Sequence, residues 1–321
     1  MKNVNYRKKI SLSGENVVFL HFVILNYNDT MKQLVLTLAF AAALLAACGG
    51  ETSKKETDSL IQDSVLDSTM PMKEFKTFTV SDMLCFMIHD DEPFAPEFEN
   101  YGVRERFSVE WPEEGMMSEK AMRELMNCYF GPEAPVDIKK AVSRWHENVK
   151  NQYGGKRVKN VNEDLPYSYH EMHSDCRQDG NLATFSITYG NYEIGAIHGM
   201  YGEYYVTVDV ETGEIIHLSD LLDTTRLGYA VARAIQDLDV NSETLNCLFD
   251  EYQNVDEMPM TENFFIDSTR STINVIYDLY QITPYCCGIQ TISLPIFWLS
   301  KHLKLTPYAK QLFGPDNFIQ K

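Results

Sequence analysis

Histidine, cysteine and acidic side chains crowd into Tyr169-His170-Glu171-Met172-His173-Ser174-Asp175-Cys176. Two imidazoles and a thiol are donors that zinc accepts, which makes His170, His173 and Cys176 weak candidate ligands. The interval matches no recognised signature, and His-Glu-Met-His lacks the four-residue spacing of a zinc-protease helix. No metal and no other cofactor is therefore expected, and residues 156–180 read as a polar loop or irregular edge. A second group sits in Gly195-Ala196-Ile197-His198-Gly199-Met200-Tyr201-Gly202. Its glycines let backbone approach closely, either for a ligand touched by His198 or Tyr201, or for a tight crossover between strands. Tyr280 and Tyr285 flank Pro284 and suit an ordered loop that can present a partner surface. His198, Tyr201, Tyr280 and Tyr285 are thus the candidate ligand contacts. Ser219-Asp220 beside His217 has triad-like residue types, but the pair reads as a helix cap and no catalytic residue is expected.

The elements that must carry these residues change period along the chain. Phe75–Ile88 and Arg104–Trp111 read as strands, the second ending at Pro112. Ser118 caps a helix with Ala121, Met122, Leu125, Met126 and Tyr129 on one face, closed at Gly131-Pro132. Ile138, Ala141, Val142, Trp145 and Val149 mark a second helix ending at Gly154-Gly155. Alternation then takes over. Ala183, Phe185, Ile187 and Tyr189 form one face of a strand, and Tyr204, Val206, Val208 and Val210 form another. Glu211-Thr212-Gly213 makes a hairpin into Glu214–His217. Ser219–Leu222 starts a helical turn, and Leu227, Ala230, Val231, Ala234, Ile235 and Leu238 line an amphipathic helix. A further helix is expected over 242–251. Asn263–Asp267 and Thr272–Asp278 form a hairpin, and Gly288–Leu294 a last strand. Without a regular strand–helix–strand repeat, the pattern predicts an α+β fold: antiparallel sheets with packed helices in two adjoining subdomains.

The chain has 321 residues, 44% hydrophobic and 12% aromatic, with 46 acidic against 28 basic residues. That acidity disfavours a nucleic-acid partner, and no Gly-x-Gly-x-x-Gly or Walker sequence implies a nucleotide. Residues 31–50, MKQLVLTLAFAAALLAACGG, have the charged start and short apolar run of a signal peptide. Leu45-Ala46-Ala47-Cys48 resembles a bacterial lipobox, which implies acylation of Cys48 and cleavage before it. Met31 makes a better start than Met1. Taking away residues 1–47 removes five basic and two acidic residues, so the product from Cys48 carries 23 basic and 44 acidic residues, a charge of −21. Residues 48–72 read as a flexible tether from lipid to folded body. Gly49 after the cysteine favours the outer membrane by resemblance to sorting rules; the expected location is cell membrane or outer membrane, with the body in the periplasm. Six further cysteines (Cys85, Cys128, Cys176, Cys247, Cys286 and Cys287) in an oxidising compartment suggest disulfides, with 15 complete pairings open. The adjacent Cys286 and Cys287 reach different partners, or one stays free.

Three stretches of the carboxy-terminal half share a pattern: Gly195-Ala196-Ile197-His198-Gly199, the hairpin from Val208 to Leu222 with Thr212-Gly213 and Leu218-Ser219-Asp220-Leu221, and Tyr280-Gln281-Ile282-Thr283-Pro284-Tyr285-Cys286-Cys287-Gly288. They resemble the DUF3298 family, the carboxy-terminal domain of RsiV-like proteins. The resemblance covers about 180–300, and 73–180 resembles a DUF4163-like partner domain in its strand–helix order. The domains expected are therefore a signal region at 1–47, a tether at 48–72, and bodies at 73–180 and 181–321. Cys286-Cys287 departs from a family position usually held by alanines.

The family's best-understood member looks like a lysozyme receptor that restrains a sigma factor, and other members accompany a deacetylase domain; neither an anti-sigma segment nor a deacetylase domain is expected in this chain. The resemblance then implies a lipid-anchored extracytoplasmic binding protein whose partner is lysozyme, another cationic envelope protein, or a peptidoglycan-related ligand. An envelope metal-dependent hydrolase and a structural or assembly lipoprotein are the competing readings.

Overall fold

A computed structural model describes residues 72–89, 100–153, 156–158, 167–193 and 196–314. The signal region, Cys48, the tether as far as Pro71, Gly154-Gly155 and Gly195 lie outside the described residues. Strand β1 (Thr77–His89) pairs antiparallel with β2 (Asn100–Pro112) along its whole length. The chain then makes a helical detour through α1 (Glu119–Phe130) and α2 (Ile138–Tyr153). Ser118 Oγ caps α1 by accepting from the Ala121 amide at 3.1 Å, and Gly131, at φ +79°, closes it. A short β3 (Lys156–Val158) returns to β1.

Next comes β4 (Tyr167–Asp179), a thirteen-residue strand lying between β2 and β5 (Leu182–Tyr192). The expectation of a loop over 156–180 is corrected here. Its inward positions are Ser168, His170, Met172, Ser174, Cys176 and Gln178, so polar or small side chains stand where an apolar alternation would have announced a strand. Hydrogen bonds compensate: buried Ser174 Oγ accepts from the Glu110 amide at 2.9 Å and from Tyr129 Oη at 2.7 Å. Gln178 bonds the Phe75 amide and the Lys73 carbonyl. A second correction concerns direction. β4 runs parallel to β2 from Gly102↔Tyr167 to Ser108↔His173, because the α1–α2 crossover brings the chain back to the same end of the sheet. With β6 (Met200–Asp209) and β7 (Glu214–Ile215), the mixed sheet has the order β3-β1-β2-β4-β5-β6-β7.

Beyond it lie α3 (Leu218–Leu221), α4 (Leu227–Asp237) and α5 (Ser242–Cys247). An antiparallel sheet of order β10-β9-β8 follows, made from β8 (Phe264–Asp267), β9 (Thr272–Tyr277) and β10 (Gln290–Pro295). Helices α6 (Ile296–His302) and α7 (Pro307–Phe313), which the sequence reading did not place, complete the chain; Thr306 Oγ1 caps α7. β9 is buried throughout, as the middle of three strands packed among helices.

Two cores result, and the architecture is α+β with two adjoining subdomains. One packs Phe107, Val109, Phe185, Ile187, Val206 and Val208 of the large sheet under Leu125, Met126 and Val142 of the helices. The other gathers Leu221, Leu227, Ile235, Ile273, Val275, Leu294 and Leu299 around the small sheet. The turn at 180–181 falls inside the continuous β4–β5 hairpin, so the large sheet draws strands from both sides of that position. Two side chains from the second part finish the edge of β6 where short β7 leaves it open. Asn263 accepts from the Tyr205 amide at 3.0 Å and donates to the Glu203 carbonyl at 2.6 Å, and Asp278 Oδ1 accepts from the Glu203 amide at 3.3 Å. Among the described residues no helix is long and apolar enough to cross a membrane.

Candidate functional site

The four candidate contacts lie far apart in sequence and come together in the fold. His198 and Tyr201 sit at the entry to β6; Tyr280 and Tyr285 lie in the connection between β9 and β10. The imidazole of His198 stacks on Tyr285 with ring centres 3.9 Å apart at 21°, and Tyr280 lies 6.4 Å from it on a nearly parallel plane. Tyr201 meets Tyr285 edge to face at 6.0 Å. Tyr280 is left-handed, at φ +64°, and shows about half of its surface (48%). For a ring-bearing residue that conformation is uncommon and costs energy that the surrounding contacts must offset. Beside the cluster, Ile197 is fully exposed, with Met200 and Tyr201 also exposed.

The polar ends of His198, Tyr280 and Tyr285 are engaged within the protein. Tyr285 Oη donates to the Gly199 carbonyl at 2.9 Å, and His198 Nδ1 lies 3.0 Å from the same oxygen. A carbonyl only accepts, so Nδ1 carries a proton, and Nε2 pairs with Tyr280 Oη at 3.2 Å. Both imidazole nitrogens are thereby engaged, and what faces outward is ring and aliphatic surface. Such a surface binds by stacking and apolar contact.

Two supports hold it. Asp278 takes Tyr189 Oη on one carboxylate oxygen at 3.2 Å and the Glu203 amide on the other, while its own amide donates to Gln281 Oε1 at 2.7 Å. Burial pushes the Asp278 carboxyl above its ordinary range, against the opposing pull of those two hydrogen bonds. On the far side of the loop, Cys287 is disulfide-bonded to Cys247 at the end of α5, with Cα atoms 6.2 Å apart. Gln290 accepts from Thr244 at 2.8 Å and donates to the Cys287 carbonyl at 2.6 Å. Of the adjacent cysteines, then, Cys287 is bridged and Cys286 is a free, exposed thiol; Cys85, Cys128 and Cys176 are also free.

Sequence reasoning missed Tyr189, Asp278 and the pairing of Cys247. The glycines were the available signal. A Cβ on Gly202 would stand 2.0 Å from the Tyr189 ring, and one on Gly199 would stand 2.9 Å from the Asn191 carbonyl. The close approach that these glycines permit is therefore made by the chain's own β5.

The remaining candidates do not converge. Alternation puts His170 and Cys176 on the inner face of β4 and His173 on the outer face. His170 Nε2 lies 3.3 Å from Glu193, His173 Nε2 lies 3.1 Å from Asp175, and burial pushes the Cys176 thiol up to about 12. Among the described residues no three His, Cys, Asp or Glu side chains are grouped to hold a metal. His217 pairs with Glu124 of α1 at 3.3 Å, and Asp220 accepts from the His217 amide at 2.9 Å, so these residues serve a helix start and a tie between elements.

No family model and no curated protein matches the chain. Solved structures do. A member of the DUF3298 family from Bacteroides fragilis NCTC 9343 aligns with a TM-score of 0.51 at 18% identity, over 75% of this chain and 97% of its own. A DUF3298 family protein from Pseudomonas aeruginosa PAO1 aligns at 0.46 and 12% identity, over 74% and 96%. The fold is thus similar to that of the Bacteroides DUF3298 protein, and a likeness over 75% of the chain extends beyond 181–321 alone. At this identity the comparison speaks of fold and carries no ligand.

Proposed function

We propose that this chain is a lipid-anchored, non-enzymatic binding protein of the cell envelope, and that it holds a cationic protein such as lysozyme on the surface built by His198, Tyr201, Tyr280 and Tyr285. The observation that carries the reading is the combination at that surface. Aromatic surface is exposed at Tyr201 and Tyr280, the polar ends of His198, Tyr280 and Tyr285 are engaged within the protein, and a disulfide and a half-buried carboxylate hold the loop that presents them. Ordered aromatic side chains give contact area at low entropic cost, which is how protein-binding surfaces concentrate affinity. The lipobox-like Leu45-Ala46-Ala47-Cys48 supports the anchor, and the charge of −21 on the product supports attraction of a basic partner.

The test is capture of lysozymes by the processed chain in detergent, at low and high salt, with Tyr280→Ala and Tyr285→Ala alongside. The reading expects salt-weakened binding that each substitution lowers about tenfold or more, the size of a truncated hot-spot residue. Absence of binding at low salt removes the cationic partner. Binding of soluble peptidoglycan fragments in its place would direct the same surface to a glycan. An envelope hydrolase centred on 169–176 and His198 is not favoured, since both His198 nitrogens are engaged and His170 and His173 face opposite ways.

A further inference from the structure

A second group of ionisable side chains lies under α2 and takes no part in the aromatic surface. Glu105, on β2, is completely buried. His146 of α2 stands over it, with Nδ1 2.5 Å from Glu105 Oε2. On its other side His146 Nε2 faces Oδ2 of half-exposed Asp82, on β1, at 3.4 Å; that contact is within ion-pair range, without hydrogen-bond geometry. Glu105 Oε1 is buried and accepts no hydrogen bond. From β4, His170 sits opposite Glu105 in register and itself contacts Glu193, just after β5. Among the described residues, Asp82, Glu105, His146, His170 and Glu193 are therefore the titratable groups that meet here from β1, β2, α2, β4 and the end of β5.

We infer that Asp82, His146 and Glu105 form a proton-sensitive clamp that holds α2 on the sheet, closed while the His146–Glu105 pair carries one shared proton and loosened when that proton leaves. The number of available hydrogens sets this requirement. Both imidazole nitrogens face carboxylate oxygens, and a neutral imidazole has only one N–H. An imidazolium beside ionised Glu105 presents a proton to each carboxylate. A neutral imidazole that keeps its Nε2 proton toward Asp82, beside a protonated Glu105, does the same. The two arrangements contain the same number of protons, so the conclusion does not depend on which atom holds the shared one. Removing it leaves a nitrogen lone pair against one carboxylate and an ionised Glu105 in an apolar site, next to a second acid. Burial holds the Glu105 carboxyl above its ordinary range, which agrees with a proton retained there. The folded pair holds a proton that the same two groups release once unfolded, so the clamp's contribution falls as pH rises.

Hydrogen exchange of the full processed chain in detergent tests this, with α2 amides read against amides of α4, which carries no histidine, in the same sample at pH 6 and pH 8. The ratio cancels the intrinsic pH dependence of exchange. In the wild type, α2 should open about tenfold more readily relative to α4 at the higher pH, the size of one unit of proton linkage. His146→Gln should remove that change. Asp82→Asn, at the half-exposed end where folding is not at risk, should reduce it. A wild-type ratio that is the same at both pH values, or a change that survives in both variants, would overturn the clamp.

Discussion

At the level of single residues, the structure separates side chains that present a surface from those that keep it in place. Tyr280 and Tyr285 do the first, and Tyr189, Asp278 and Gly202 the second. Gly202→Ala puts a methyl group into the Tyr189 ring, which must swing off Asp278. Because that ring is partly exposed, the expected result is a folded protein with weakened partner binding, checked by circular dichroism together with a binding isotherm. A different residue pair reports on pH. The hydrogen bond to Glu124 raises the His217 pKa, and the same bond lowers that of Glu124. The histidine's contribution is present below about pH 6.5 and lost as pH rises through its folded value. The carboxylate's contribution is present above its ordinary range and lost as pH falls through its lowered value. The pair is therefore at full strength near pH 5 to 6, and His217→Gln should flatten the fall in melting temperature between about pH 6 and 8. An unchanged slope would remove the pair from the account.

At the level of elements, most strands and helices could be read because one face is apolar. β5 and β6 bury Ala183, Phe185, Ile187, Val206 and Val208, and α4 buries Leu227, Ala230, Val231, Ala234 and Ile235; period 2 and period 3.6 are plain in those residues. β4 was not legible for the opposite reason. Its inward Ser174 and Gln178 are stabilised by partners 45 to 105 positions away, which no local pattern encodes. Ser174→Val should thus leave the Glu110 amide without its acceptor and the Tyr129 hydroxyl with only the longer bond to the Glu110 carbonyl, and lower stability by about 1 to 3 kcal/mol, measured by urea unfolding. The aromatic site was legible as residue types: the four candidates meet. Their supports were not, since Cys247 joins Cys287 across 40 positions and only the fold selects that pair among 15. By loop length the bridge is worth about 4 kcal/mol. Cys247→Ser together with Cys287→Ser should lower the melting temperature and also weaken binding, because the bridge ends two residues from Tyr285. Loss of stability with affinity intact would show that the loop is ordered without it.

For the molecule as a whole, one core forms on the seven-stranded sheet and the other around the three-stranded sheet, and the aromatic surface is built where β5, β6 and the β9–β10 connection meet. Its rings come from segments that belong to different parts of the sequence, so the surface exists only when both parts are folded. Acidity enters at this scale as well: charge spread over the whole product acts on encounter rates, while the tyrosines act on the lifetime of the complex. Raising salt should therefore slow association, and Tyr285→Ala should hasten dissociation. The most direct test is the binding of hen lysozyme to the processed wild-type chain and to Tyr285→Ala, followed by surface plasmon resonance at low ionic strength. The account predicts saturable binding to the wild type and at least about tenfold faster dissociation from the variant; absence of binding to the wild type, or identical dissociation from both, would contradict it.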